Sequence, residues 1–202
     1  MVNEKDMRSY DAIDCIAFRK TKEAFGGLSN MASGFPMEIS GERILTAEAL
    51  YQACRFPRYP DLQRDIIAQH SPMHAKELSR RFNSLTRSDW EDVRLRVMRW
   101  VLRAKLMHNW EKFGKLLTDT GDKIIVEDSY RDIYWGATEK NGIYVGVNAL
   151  GRLLMELRVQ YLKMDKHIPI RLSPTSIPEF LLFGELIEPI CFDADHRILA
   201  RI

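Results

Sequence analysis

Glu48 stands two residues after Thr46, where a helix is about to begin. A carboxylate in a first helical turn is favoured by the positive end of the helix dipole, by a few tenths to about 1 kcal/mol. Turned into a pocket, the same group can face a developing cation or a water. Asp132 lies three residues before Trp135 in a stretch that reads as loop. It suits a surface salt bridge, or a pocket walled by indole in which it accepts a substrate hydroxyl. Asn148 and Gly151 frame a second helix start, with Arg152 just inside it. Ordinary capping accounts for them, and so does a phosphate seat made of free backbone N–H groups beside an arginine. His70 and His74 are four apart, a spacing that suits zinc on one continuous helix. Ser71-Pro72 falls between them and starts a new helix, no third ligand is evident, and no metal is expected.

Trp90, Trp100, Trp110 and Trp135 are large apolar groups whose commoner use is packing. Trp90 falls in the first turn of its helix, where it can overhang a pocket and stack on a base. Gly142, Gly146 and Gly151 do not give the dinucleotide-binding GxGxxG spacing, and there is no Walker A sequence. Charge gathers in one place: residues 76–115 hold 11 Lys+Arg against 5 Asp+Glu. Within that stretch Arg96, Arg99 and Arg103 share a helical face, which serves as a solvated surface or as a footprint for a phosphate backbone.

These residues need elements to hold them. Asp14 to Phe18 reads as a strand, followed by a loop in which Gly26-Gly27 would allow positive φ and close approach to a ligand. Met37 to Ile44 reads as a hairpin around Ser40-Gly41. Thr46 can cap a helix running to about Arg55. Leu62 to His70 forms a second helix, and Ser71-Pro72 caps and opens a third. Ser88 to Glu91 is a capping box opening the longest helix, from Asp89 to about Thr118. Its buried stripe is Val93, Val97, Trp100, Val101 and Ala104. Lys123 to Glu127 is a strand. Asn148 caps a last helix whose core face is Leu150, Leu153, Leu154, Leu157 and Tyr161. After Met164, Pro169, Pro174, Pro178 and Pro189 punctuate strand-like runs such as Phe180 to Phe183. The divisions expected are an N-terminal extension (1–13), a main domain (14–163) and a C-terminal extension packed on it (164–202).

Composition narrows the class. The chain has 202 residues, 46% of them hydrophobic and 29% charged, as in a globular protein. A net charge of +2 rules out a global polycation, so any nucleic-acid contact must come from local clustering. Three spaced cysteines, Cys15, Cys54 and Cys191, suit a reducing compartment. With a polar start and no long uncharged apolar run, the expectation is a cytoplasmic protein without membrane contact. Nothing in the sequence sets an oligomeric state.

Taken in order, the motifs resemble the NADAR (YbiA-like) family. The stretches that carry the resemblance are Phe25 to Asn30 (Phe-Gly-Gly-Leu-Ser-Asn), Thr46 to Ala53, Ser71 to Lys76, Trp90 to Arg94, Met98 to Lys105, Leu117 to Gly121, Glu127, Asp132 to Gly136 and Gly146 to Arg152. They run from about Ile16 to Arg158. The resemblance implies a mainly α fold with a few short β-strands in a compact single domain, and N-glycosidase chemistry on ribosylated bases with no cofactor. It places functional positions at Glu48, Trp90, Asp132, Trp135 and Asn148, with family lysines at Lys76 and Lys105. Ser29 and Asn30 fall in its first motif as substrate contacts.

Breaking a ribosyl N-glycosidic bond builds positive charge on C1 and the ring oxygen, which a nearby carboxylate stabilises. Glu48 suits that role, with Asp132 holding ribose hydroxyls. A buried lysine with a lowered pKa offers a second route, an imine with the opened sugar that water then clears, through Lys105 or Lys76. Trp90 and Trp135 would sandwich base or ribose, while Asn148, Gly151 and Arg152 would hold diphosphate. The arginine face and the text of residues 150–158, which looks like the family's DNA-associated branch, favour ADP-ribosylated guanine in DNA, contacted through Arg96, Arg99 and Arg103, in an antitoxin-like reversal of ADP-ribosylation. The alternatives are a glycosidase of riboflavin intermediates and a module that binds ADP-ribose or NAD without cleaving it.

Overall fold

A computed structural model describes residues 4–164 and 168–193. Residues 1–3 of the N-terminal extension, and 165–167 and 194–202 of the C-terminal one, lie outside the described residues. In chain order the first elements are β1 (Arg8–Asp11), β2 (Cys15–Phe18), β3 (Met37–Ile39) and β4 (Glu42–Ile44). Helices α1 (Ala47–Ala53), α2 (Pro60–Ile67), α3 (Pro72–Arg81), α4 (Trp90–His108) and α5 (Trp110–Thr118) follow. Then come β5 (Ile124–Glu127), β6 (Thr138–Lys140), β7 (Ile143–Gly146) and α6 (Ala149–Lys163). The last strands are β8 (Ile170–Leu172), β9 (Leu181–Leu182), β10 (Glu185–Leu186) and β11 (Ile190–Phe192). The chain is mainly α with a few short strands, and it falls into two compact units.

The unit made of residues 30–110 and the C-terminal segment is built around α1. Ser40 and Gly41, at φ 53° and 79°, turn β3 into β4, as two adjacent positive-φ residues do in a tight hairpin. Thr46 then caps α1 through Oγ1, which accepts from the amide of Ala49 at 3.2 Å. All seven residues of α1 are buried, the polar Glu48 and Gln52 among them, because α2, α3 and α4 pack around it. Pro60 and Pro72 occupy the first turns of α2 and α3, where a missing N–H costs nothing. Ser71 is extended as a cap residue should be, yet its side chain makes no capping bond.

The stripe of Val93, Val97, Trp100, Val101 and Ala104 is buried as its spacing predicts. Two expectations for α4 are corrected. The box of Ser88 and Glu91 does not form: the cap position is Asp89, whose carboxylate is held by Arg87 at 2.6 and 3.0 Å, and Glu91 pairs with Arg94 at 3.0 Å. The long helix ends at His108: Asn109 leaves helical geometry, and its amide donates to the carbonyls of Pro36 and Lys105, both at 3.0 Å. The segment from Ile170 to Phe192 packs on this unit. Strands β8 and β11 pair, and β9 and β10 form a hairpin around Phe183 and Gly184. Trp100 Nε1 donates to the Ser173 carbonyl at 3.1 Å, and Gln63 bonds the backbone of both Leu181 and Phe183.

The other unit, residues 4–29 and 111–164, pairs β2 with β5 in parallel, Cys15 opposite Ile124. The N-terminal extension contributes a strand that its polar composition does not announce: β1 lies antiparallel to β7, which pairs with β6. Asn141-Gly142, at φ 54° and 83°, makes the β6–β7 turn. Helix α6 packs on β5, and Gly151 permits that approach; a Cβ there would meet the Ile125 carbonyl at 2.1 Å. Gly26 likewise has no positive φ, and its closeness is to the backbone of Lys20 and Thr21 rather than to open space for a ligand.

Candidate active site

Glu48 sits in the first turn of α1, and its amide donates to the Asn30 carbonyl at 3.1 Å. The residue is 5% exposed. A carboxylate that served only the helix dipole would sit at the surface, since burying it costs its hydration. Three features offset that cost: the dipole of α1, Gln52 Nε2 donating to Oε1 at 2.9 Å, and Lys76 Nζ at 3.8 Å from the same oxygen. Among the described residues Oε2 accepts no hydrogen bond, so one lone-pair face of the carboxylate is uncommitted.

Gln52 is itself held from behind. Its Oε1 accepts from Ser79 Oγ at 2.6 Å and from Arg55 Nη1 at 3.1 Å. Arg55 also donates to Ser79 Oγ, Asn83 Oδ1 and Thr86 Oγ1 at 2.9, 2.6 and 3.1 Å. Burial pushes the Arg55 guanidinium below its ordinary range, with the charges of Tyr51, Glu91 and Glu48 opposing. Its Cζ lies 5.7 Å from the Trp90 ring centroid, and Tyr51 packs against the same indole at 5.0 Å. Trp90 is thus a packed wall, 8% exposed, and not an open stacking platform. Gln52, Arg55 and Ser79 are positions that sequence reasoning missed. The signal for Gln52 was its place one turn after Glu48; Arg55 and Ser79 carried none, because apart from the Arg55–Gln52 bond their partners lie more than twenty residues away.

Lys105 projects from the buried side of α4, is 0% exposed, and places Nζ 4.6 Å from the centroid of Phe35. On the same helix Met98 Sδ accepts from Asn30 Nδ2 at 3.0 Å. Asn30 Oδ1 is buried with no donor among the described residues. An unpaired buried acceptor costs roughly 1–3 kcal/mol, and a substrate hydroxyl or amine would relieve it. This unit therefore holds Asn30, Glu48, Lys76, Trp90 and Lys105, with Glu48 in direct contact with Asn30 and Lys76. Arg96, Arg99 and Arg103 lie on the more exposed side of α4, and Arg96 Nη1 donates to the Ser176 carbonyl.

The second unit holds Ser29, Asp132, Trp135, Asn148, Gly151 and Arg152. Ser29 is buried, its amide donating to the Gly26 carbonyl at 3.1 Å. Asp132 Oδ1 accepts the amides of Tyr134 and Trp135 at 3.2 and 3.0 Å, which shapes the loop and presents the Trp135 ring edge-on to Tyr134. Oδ2 makes no hydrogen bond among the described residues, so Asp132 retains an oxygen for a hydroxyl. The expected phosphate seat is corrected. The amides of Asn148, Ala149 and Leu150 donate to the carbonyls of Gly136, Tyr134 and Trp135, so the start of α6 has no free row of N–H groups. Asn148 is left-handed (φ 51°) and makes no side-chain cap; its amide bonds Ile125 O at 2.8 Å and the Glu127 N–H at 3.2 Å. Asn148 and Gly151 thus lock α6 to β5, and Arg152 is exposed beside them.

Residues 17–162 match the NADAR domain family, a continuous stretch that includes both catalytic candidates on α1 and α4. N-glycosidase YbiA from Shigella boydii is 37% identical over 147 residues, covering 72% of this chain and 87% of that protein. Riboflavin biosynthesis protein VVA0006 from Vibrio vulnificus is 34% identical over 189 residues, 89% of this chain; the chain spans about half (48%) of that relative. The NMR structure of Escherichia coli YbiA superposes with a TM-score of 0.63 at 34% identity, covering 75% of this chain and 89% of that one.

Proposed function

The chain belongs to the NADAR family, and on that premise we propose that it is an N-glycosidase that removes ADP-ribose from ADP-ribosylated guanine in DNA. The observation that carries the choice of substrate is the arrangement of α4, which buries Lys105 on one side and sets Arg96, Arg99 and Arg103 along another. A helix that serves a glycosidic pocket and presents a cationic row suits a scissile bond attached to a polyanion.

Hydrolysis breaks the C1–N bond. The base leaves with the bonding pair and takes up a proton, and water supplies the hydroxyl on C1. As the bond stretches, C1 and the ring oxygen become positive, and Glu48 supplies the compensating charge from a site poor in water, where it acts most strongly. Gln52 fixes the carboxylate's rotamer, leaving Oε2 for the substrate or the water. Asn30 Oδ1 is placed to accept from a substrate hydroxyl. In the second route the sugar ring opens with the base nitrogen still joined to C1 as an imine, the Lys105 amine adds to C1, and the base leaves with the C1–N bonding pair and a proton as the lysine imine forms. Water then adds to C1 and releases the lysine as its amine and the sugar as its aldehyde.

The direct experiment is incubation of the protein with DNA carrying ADP-ribosylated guanine. Free ADP-ribose and unmodified DNA are the expected products. A second reading, a glycosidase of riboflavin intermediates, is favoured by the Vibrio relative's name. Cleavage of a ribosylaminopyrimidine with no release from DNA would establish that reading instead, and binding of ADP-ribose without cleavage of either would leave a sensing module.

A further inference from the structure

The cationic row on α4 has a counterpart that sequence spacing could not supply. A concavity of about 430 Å³ is walled on one side by Arg96, Arg99 and Arg103 and on the other by Arg171 to Thr175. Arg171 lies on β8, in the segment beyond the family match, so four guanidinium groups converge from two elements far apart in the chain. We infer that this concavity is a clamp for the phosphate backbone of DNA, built half from the family helix and half from this chain's C-terminal segment.

Like charges around one hollow repel each other. Arg103 and Arg171 engage no carboxylate among the described residues. Arg96 donates to a carbonyl, and Asp89, the acid that feels its charge, is already bidentate with Arg87. Such a site is completed by an anion with several oxygens, for which the guanidinium fork is suited.

Shape favours a chain of phosphates over a single one. From Arg96 to Arg103 the row advances seven residues, about 10 Å at 1.5 Å per residue. A DNA strand sets one phosphate per about 3.4 Å of helix axis while winding around it, so a row of this length reaches more than one phosphate. Trp100, the aromatic residue lining the hollow, is buried and its indole N–H is committed to Ser173. With no ring left to stack on a base, the clamp reads backbone and not sequence.

This inference rests on the proposed nucleic-acid substrate, and its test is separable from it. Binding of a fluorescein-labelled, unmodified duplex is followed by anisotropy from 50 to 200 mM NaCl for the wild type, Arg103→Gln, Arg171→Gln and Arg171→Lys, each checked for an unchanged thermal transition. The wild type should bind with log K falling linearly against log salt. Each Gln variant should flatten the slope by about 0.9 for every phosphate it no longer neutralises. Arg171→Lys should retain the slope, because a point charge still displaces a counterion, and two unrelated duplex sequences should bind alike. No binding by the wild type, an unchanged slope in both Gln variants, or a strong sequence preference would overturn the clamp. If the slopes change while the wild type releases nothing from ADP-ribosylated DNA, the clamp stands and the substrate reading fails; the converse pattern sinks the clamp alone.

Discussion

Gln52 Nε2 donates to Glu48 Oε1 across 2.9 Å, one turn apart on a helix with no exposed residue. The bond turns a flexible carboxylate into a fixed one, and the far side of Gln52 is anchored in turn by Ser79 and Arg55. Glu48→Gln keeps the shape and removes the charge. Turnover should fall at least a hundredfold, in the range seen when an electrostatic stabiliser of a transition state is lost. Stability should change by about 1 kcal/mol or less. Turnover within threefold of wild type would take Glu48 out of the mechanism.

Lysine chemistry can be read by trapping. Lys105 is closed off from water, while Lys76 is partly exposed and faces Glu48 at 3.8 Å. If an imine forms, borohydride added during turnover should fix a sugar adduct on Lys105, located by peptide mass, with Lys76 unmodified. An enzyme that turns over under borohydride and carries no adduct uses water directly.

Gly151→Ala tests the locking of α6 to β5. The new methyl group would meet the Ile125 carbonyl at 2.1 Å and the Asn148 side chain at 2.5 Å, and a backbone carbonyl within a paired strand has nowhere to go. Overpacking of this kind costs about 1–3 kcal/mol. For a chain of this size Tm should drop by about 2–4 °C for each kcal/mol. A wild-type Tm would mean that the helix can slide on its strand freely.

Local chemistry made part of this fold legible and distant partners hid the rest. Thr46, Ser40-Gly41 and the α4 stripe act within a few residues of themselves, and the structure has them where their spacing puts them. The break at Asn109 depends on the carbonyl of Pro36, and the loss of the expected capping box goes with a cap shifted to Asp89, held by Arg87, and with Glu91 paired to Arg94. Neither competition is visible in a periodicity. The β6–β7 turn, by contrast, has a local hairpin signal in Asn141-Gly142 that is missing from the expected elements. At the candidate site, Glu48 and Lys105 could be singled out by motif. Asn148 reads as a cap or a phosphate ligand from sequence because its bonds to the backbone of Ile125 and Glu127 span more than twenty residues.

Cys54 gives a prediction in alkali. Burial pushes its thiol up from 9.0 to about 12, against a weaker pull from the charge of Arg87. Between those values the unfolded chain releases a proton that the folded chain keeps, so folding loses stability as pH rises through the window. The slope from this one group is at most about 1.4 kcal/mol per pH unit. Cys54→Ala lacks the thiol and its slope. The advantage of the wild type over Cys54→Ala, measured by urea unfolding at pH 8, should therefore shrink steadily at pH 9.5, 10.5 and 11.5. A constant difference would show that the thiol ionises equally in both states.

The parallel pairing of β2 with β5 sets a timetable for synthesis. Cys15 leaves the ribosome 109 residues ahead of Ile124, its partner. Closing a loop of that length costs about 2 kcal/mol more entropy than closing one of ten residues. Until β5 appears, β2 is a short, partly apolar strand with an unsatisfied edge, the kind of segment that invites pairing with a neighbouring chain. The unit that carries Asp132 and Trp135 thus cannot close before β5 is made, and nascent chains stalled before residue 124 would be prone to aggregate.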